Sequence, residues 1–163
     1  PAVEDLVAEA FTSAALGELD ALLPEESTDR APGDAAHVLR DFLARMSGPA
    51  FDDVSRLWLN ARHLSRYRPV LHERVVRQEL LWCRRVERVI ASGVEEGVFR
   101  CEDPWGSAVR VMAAIDGTNS YTNTSAPQRS APLTAMVRTF AEVELGLARD
   151  SLLPRVVETD GSA

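Results

Sequence analysis

Lysine is absent from this chain: all 18 basic residues are arginine, set against 25 acidic ones, for a formal net charge of −7. Nucleic acid is held by clustered cations that neutralise phosphates, so a chain this acidic is expected to hold no DNA by itself. Cysteine is scarce. Cys83 and Cys101 form no C-x-x-C pair, and the first residues lack the basic, apolar and small-residue layout of a secretion signal. A reducing cytoplasm is the expected compartment, with Cys83 read as a small core residue. No apolar run approaches the roughly 18 residues that a membrane-spanning helix needs, so no membrane partner is expected. His37, His63 and His72 have no metal-ligand spacing, and no serine sits in a nucleophile elbow. No glycine-rich phosphate loop, internal repeat or alternating strand pattern is present. Metal, cofactor and catalytic residues are therefore all expected to be none.

What the chain does have is helical spacing broken by proline and glycine. Its 163 residues are 45% hydrophobic, which suits one domain burying about 68–70% of its unfolded surface. The first helix is expected from Pro1 to about Leu22, with Val3, Val7, Ala10, Phe11 and Ala14 on one side. A polar loop, Glu25 to Gly33, follows Leu23-Pro24. Asp34 is placed to cap a second helix striped by Val38, Leu39, Phe42, Leu43 and Met46, which Ser47-Gly48-Pro49 stops. A third helix carries Phe51, Val54, Leu57, Trp58 and Ala61 and breaks at Arg68-Pro69, because a residue before proline is pushed out of the helical region. The longest helix covers residues 70 to about 96 and stops at Glu96-Gly97, where glycine tolerates a positive φ. Asp103-Pro104 reopens with a capping carboxylate and a proline whose missing N–H costs nothing at the first position, and that helix runs to about Asn123. A loop from Ser125 to Pro132 leads to a last helix with Leu133, Met136, Val137, Phe140, Val143 and Leu147 on its apolar side. One domain, 1–153, and a polar tail, 154–163, are expected. The fold class is all-α, a bundle of about six helices.

Two carboxylates break the apolar faces. Wound at about 100° per residue, the longest helix places Glu79 amid Val75, Trp82, Val86, Val89 and Ile90, with His72 beside it. Either Glu79 pairs with an arginine such as Arg62 and closes the core, or it faces a cavity. The following helix lines up Trp105, Val109, Met112, Asp116, Asn119 and Asn123 on one side, an apolar-to-polar mixture of the kind a ligand pocket uses. Asp116 has the alternative of bonding backbone near Gly117, and Trp58 and Trp82 that of filling core. Gly106, Ala113, Ala114 and Gly117, with Arg110 and Tyr121, form a small-residue side that another helix can approach closely. Ser65, Arg66, Tyr67 and Arg68 make a small basic turn.

The order of Val3-Glu4-Asp5-Leu6, the Leu57-Trp58 helix, the Trp82 helix, the Gly97-Val98-Phe99-Arg100 exit and Ile115-Asp116-Gly117 resembles the C-terminal half of TetR-family transcriptional regulators. The resemblance implies a small-molecule-sensing and dimerising domain of a repressor. It places the chain's start where the DNA-reading helix-turn-helix ends, so the reading domain is expected to be missing and operator DNA to be reached only through it. It implies a cavity among Phe42 and Met46; Trp58, Ala61 and Arg62; Val75, Glu79, Trp82 and Val86; and Met112, Asp116 and Asn119. It further implies that the last two helices pair with their twins in a homodimeric four-helix bundle, using Gly106, Arg110, Ala113, Ala114, Gly117 and Tyr121 together with Val137 and Phe140. Two other uses of the same residues stay open: a helical enzyme with Glu79 and Asp116 as acid and base, and a purely structural dimerisation module.

Overall fold

The computed structural model describes residues 3–25, 34–122 and 130–154. These form α1 (Val3–Leu22), α2 (Ala35–Met46), a single 3₁₀ turn (Pro49–Phe51), α3 (Asp52–Ser65), α4 (Pro69–Glu95), α5 (Pro104–Thr122) and α6 (Ser130–Glu144). The fold is all-α, with no strand among the described residues. Most of the loop expected before Gly33, Asn123, the stretch to residue 129 and the tail beyond 154 lie outside the described residues. No described helix is long and apolar enough to cross a membrane.

α4 is the axis of the bundle and packs against α1, α2, α3 and α5. Its ends follow from backbone chemistry. Arg68 is extended (φ −136°, ψ 96°) and Pro69 opens the helix, while Gly97 takes a φ of +74° beyond it, a conformation that costs a side chain dearly. The chain then doubles back, the N–H groups of Val98 and Phe99 both donating to the Gly93 carbonyl at 2.9 Å. A Cβ on Gly93 would lie 2.1 Å from the Phe99 ring, so only glycine lets that buried ring seat on the helix. α5 begins as its sequence suggests, with the Gly106 N–H donating to Asp103 Oδ1 at 2.9 Å. Asp34 does not cap α2: its side chain makes no capping bond. Glu96, from the end of α4, accepts from the Ala35 N–H instead at 3.4 Å, a contact between segments far apart in sequence.

Two helices bury faces other than those their apolar spacing suggests. α1 buries Ala8, Phe11, Ala15 and Leu19 and leaves Val3, Val7, Ala10 and Ala14 exposed. α6 starts at Ser130, two residues before Pro132, because proline is tolerated in a first helical turn, and it ends at Glu144 with Gly146 at φ +63°. Val143 is 76% exposed while Glu142 is only 2% exposed. The reason is that the segment after Gly146 folds back over α6, burying Leu152 and bringing its N–H groups onto the Glu142 carboxylate. Arginine supplies the buried polar anchors that lysine's absence leaves to it: Arg85 donates to the Leu23 carbonyl and to Asp20 (2.8 Å), fixing the end of α1 on α4, and Arg40 donates to the Ser151 carbonyl at 3.0 Å.

Candidate functional site

A cavity of about 540 Å³ lies between α3, α4 and α5, floored by Met46 and Phe51. From α3 come Ser55, Trp58, Leu59 and Arg62, residues at helical intervals that share one face. α4 contributes Glu79, Trp82 and Cys83; α5 contributes Val109, Met112, Ala113, Asp116, Gly117, Asn119 and Ser120. The α5 edge is open to solvent, Val109, Ala113, Gly117 and Ser120 being exposed there.

Arg62 is the polar centre. Its Nε donates to Glu79 Oε1 and its Nη2 to Asp116 Oδ2, each at 2.7 Å, so one guanidinium joins carboxylates from two helices. The guanidinium carbon also stands 5.0 Å from the centroid of the Trp58 ring, within the range of a cation–π contact. Trp58 in turn meets Trp82 edge-on, with centroids 5.8 Å apart and an interplanar angle of 83°. Burial works against the charge on Arg62, but Asp116 and Glu79 together outweigh it and hold its pKa above the ordinary value. For Asp116 the balance falls the other way: burial pushes its carboxyl up, and Arg62 recovers only part of that. Burial, reinforced by Asp116 and Glu79, likewise raises the Cys83 thiol, so it stands on the wall as a neutral thiol, where the sequence pattern places it in the core. The wall carries two carboxylates and one guanidinium, amid apolar and aromatic surface.

Of the residues expected at the cavity, Met46, Trp58, Arg62, Glu79, Trp82, Met112, Asp116 and Asn119 lie on its wall. Phe42, Ala61, Val75 and Val86 do not; each is at most 4% exposed and packs in the core behind it. The expected dimer residues are also divided. Ala113 and Gly117 border the open edge of the cavity, and a Cβ on Gly117 would meet nothing within 4 Å. Their small size leaves that edge open. Gly106 is small because a Cβ would strike the capping Asp103 carboxylate, and Val137 is 2% exposed within its own chain. Arg110 donates from Nε to Glu144 Oε1 at 2.8 Å, tying α5 to α6; that bond raises the Arg110 pKa and lowers that of Glu144. Ala114 and Phe140 are half-buried and Tyr121 is exposed. The basic turn borders a second, shallower groove, which shares Arg62 and Glu79 with the cavity. Ser55 and Leu59 share the helical face of Arg62, the signal by which they could be found; Phe51 keeps the helical interval with Val54 and Trp58 but ends the 3₁₀ turn before α3 instead of opening that helix.

Residues 35–146 match the family described as BetI-type transcriptional repressor, C-terminal. The chain belongs to that family. The matched span runs from the first residue of α2 to just past α6 and takes in every residue of the cavity wall. It is thus the C-terminal domain of a TetR-type repressor, the part of such a regulator concerned with ligand binding and dimerisation. No curated protein and no solved structure matches the chain.

Proposed function

We propose that this domain senses a small molecule in the cavity bridged by Arg62, and that it works as a homodimer in which ligand binding shifts the spacing of DNA-reading domains. The observation that carries the reading is the wall itself: apolar surface able to cover most of a ligand, with a few fixed polar groups drawn from three helices. A volume of about 540 Å³ falls in the range of sites for drug-sized molecules, about 300–1,000 Å³. Two carboxylates against one guanidinium suit a partly cationic or amide-bearing compound. Ligand energy can move the protein only through a difference in affinity between two states. Here a ligand that takes over Glu79 or Asp116 from Arg62 changes what holds α3, α4 and α5 together, and Phe11 on Trp58 carries α1 with α3. Acid–base catalysis by the same groups is the weaker reading, since both carboxylates are already committed to one cation.

The test is calorimetric titration with the compound that most raises the domain's melting temperature, a rise that only native-state binding produces. Glu79→Gln and Asp116→Asn keep side-chain size and remove charge; each is expected to weaken binding roughly tenfold to hundredfold, the value of about 1.5–3 kcal/mol for a charge-assisted bond. Unchanged affinity in both variants would leave the carboxylates as packing groups, and a screen with no stabilising compound would favour a structural module.

Dimerisation is proposed through the outer side of α5 and α6, where Tyr121, Met136 and Val143 stand exposed at 56%, 45% and 76%. Light scattering should give twice the chain mass. Because a two-fold contact repeats every change, Val143→Arg is expected to shift the mass toward monomer without lowering the urea midpoint of the isolated chain. A variant that stays dimeric places the interface elsewhere.

A further inference from the structure

The turn between α3 and α4 collects positive charge on a chain whose net charge is −7. It borders a groove of about 780 Å³ whose wall carries Arg62, Arg66, Arg68 and His72 against Glu73 and Glu79. Arg66 keeps a helical backbone at the end of α3 (φ −61°, ψ −25°), so it stands one turn beyond Arg62 on the same face. Across the groove, His72, Val75, Val76 and Glu79 share one face of α4. Arg62 and Glu79 neutralise each other at 2.7 Å. Among the described residues, Arg66 and Arg68 are exposed and have no hydrogen-bond or ion-pair partner, which leaves two guanidiniums and His72 on this wall against one unpaired carboxylate, Glu73. The Nη1 of Arg62 likewise has no partner there, and it is not sealed from solvent.

We propose that this groove is a second ligand site, for the oxyanion group of a small molecule, a phosphate or a carboxylate, held by Arg66 and Arg68, and that its occupant acts on the cavity through Arg62. Guanidinium forks match both groups with paired, charge-assisted bonds. The groove's volume is that of a site for a small organic molecule, and Tyr67, Pro69 and Val76 supply apolar surface beside the cations. Arg62 and Glu79 line groove and cavity alike, so one ion pair belongs to both. An anion bound at the turn competes with Glu79 and Asp116 for the Arg62 guanidinium and adds negative potential to the cavity. Both effects favour a cation there, and by linkage a cation in the cavity tightens the anion by the same factor. The groove does not need the sensing reading, which concerns the cavity's own ligand.

The probe is inorganic phosphate, followed by proton–nitrogen NMR of the 163-residue chain; sodium chloride at equal ionic strength is the control, because salt screens exposed charges. The backbone signals of Ser65 to Arg68 and of His72 should shift saturably with phosphate and not with chloride. The Nε–H signal of Arg62, identified by its displacement in Glu79→Gln, should move with the same midpoint. Arg66→Gln combined with Arg68→Gln should weaken phosphate roughly tenfold or more, through the loss of charge-assisted bonds. Arg77→Gln combined with Arg88→Gln removes the same charge from exposed, unpaired arginines elsewhere on α4 and should leave the affinity unchanged. Equal weakening by both double variants would mean that phosphate follows net charge and overturns the site, as does a shift that chloride reproduces or that never saturates. Saturable groove signals with an unmoved Arg62 Nε–H overturn the link to the cavity. A short DNA duplex that displaces phosphate at equal ionic strength overturns the small-molecule assignment and gives the arginines to a nucleic-acid backbone. If phosphate binds as expected while no compound occupies the cavity, the groove stands and the sensing reading falls.

Discussion

Glu142→Ala is expected to lower the stability of the domain by about 3–5 kcal/mol, the cost of breaking a buried charged network by removing one partner. Glu142 is 2% exposed. Its Oε2 accepts from the Asp150 N–H at 3.0 Å, and its Oε1 accepts from the Leu152 N–H at 2.9 Å and from Arg138 Nη1 at 3.4 Å. Arg138 keeps a second partner, Asp150 Oδ1 at 2.6 Å, so the loss falls on the two backbone donors. The Leu152 donor, left buried and unpaired, costs about 1–3 kcal/mol, and the part-buried Asp150 donor costs less. The Leu152 side chain, itself 2% exposed, loses the anchor that seats it, and Asp150 is left at a φ of 66° without the bond that holds it there. Glu142→Gln restores little, since one of its two ends would face an N–H with an N–H. Urea unfolding measures both: a loss under about 1 kcal/mol for alanine would show that the turn after Gly146 holds without the carboxylate, against the value for orphaned donors.

That network also marks where reading the sequence stops. Local chemistry decides both ends of α4 and the start of α5, so Arg68-Pro69, Gly97 and Asp103-Pro104 could be placed from the residues alone. Glu142 could not, because what buries it is a segment returning from beyond Gly146, and nothing in the spacing of α6 announces that return; the same blindness put Val143 on the apolar side. Asp34 fails as a side-chain cap for a related reason. The helix start is held from elsewhere, the Ala35 N–H donating to Glu96, 61 residues away. At the cavity the legible residues were the anomalous ones. Glu79 and Asp116 stood out as charge where apolar surface was due, with Arg62 named as a partner for Glu79, and that anomaly is what a polar centre inside an apolar wall must look like. Phe42, Ala61, Val75 and Val86 carried no anomaly; they entered by resemblance, and as ordinary apolar residues they went to the core.

Trp58→Ala is expected to cost about 3–5 kcal/mol, the range for truncating a large buried aromatic, and to disconnect α1 from the cavity as it does so. Trp58 is 6% exposed and touches three things at once: Phe11 of α1 edge-on at 5.0 Å and 87°, Trp82 of α4 at 5.8 Å, and the Arg62 guanidinium over its face. It is therefore both core and wall, which removes the choice between those two readings. Trp105→Ala is the control, since Trp105 is half-buried beneath Arg84, whose guanidinium lies 4.0 Å from its ring centroid; its cost should be well below that of Trp58→Ala. The sharper measurement is the double-mutant cycle of Phe11→Leu and Trp58→Leu by urea unfolding. An edge-to-face pair is worth about 0.5–1.5 kcal/mol beyond its buried area, so a coupling of that size would show that α1 reads the state of the cavity wall through one aromatic contact. Additive losses would mean that α1 rides on α4 as a whole, through contacts such as Arg85 with Leu23 and Asp20, and that a ligand at Arg62 reaches α1 by moving α4.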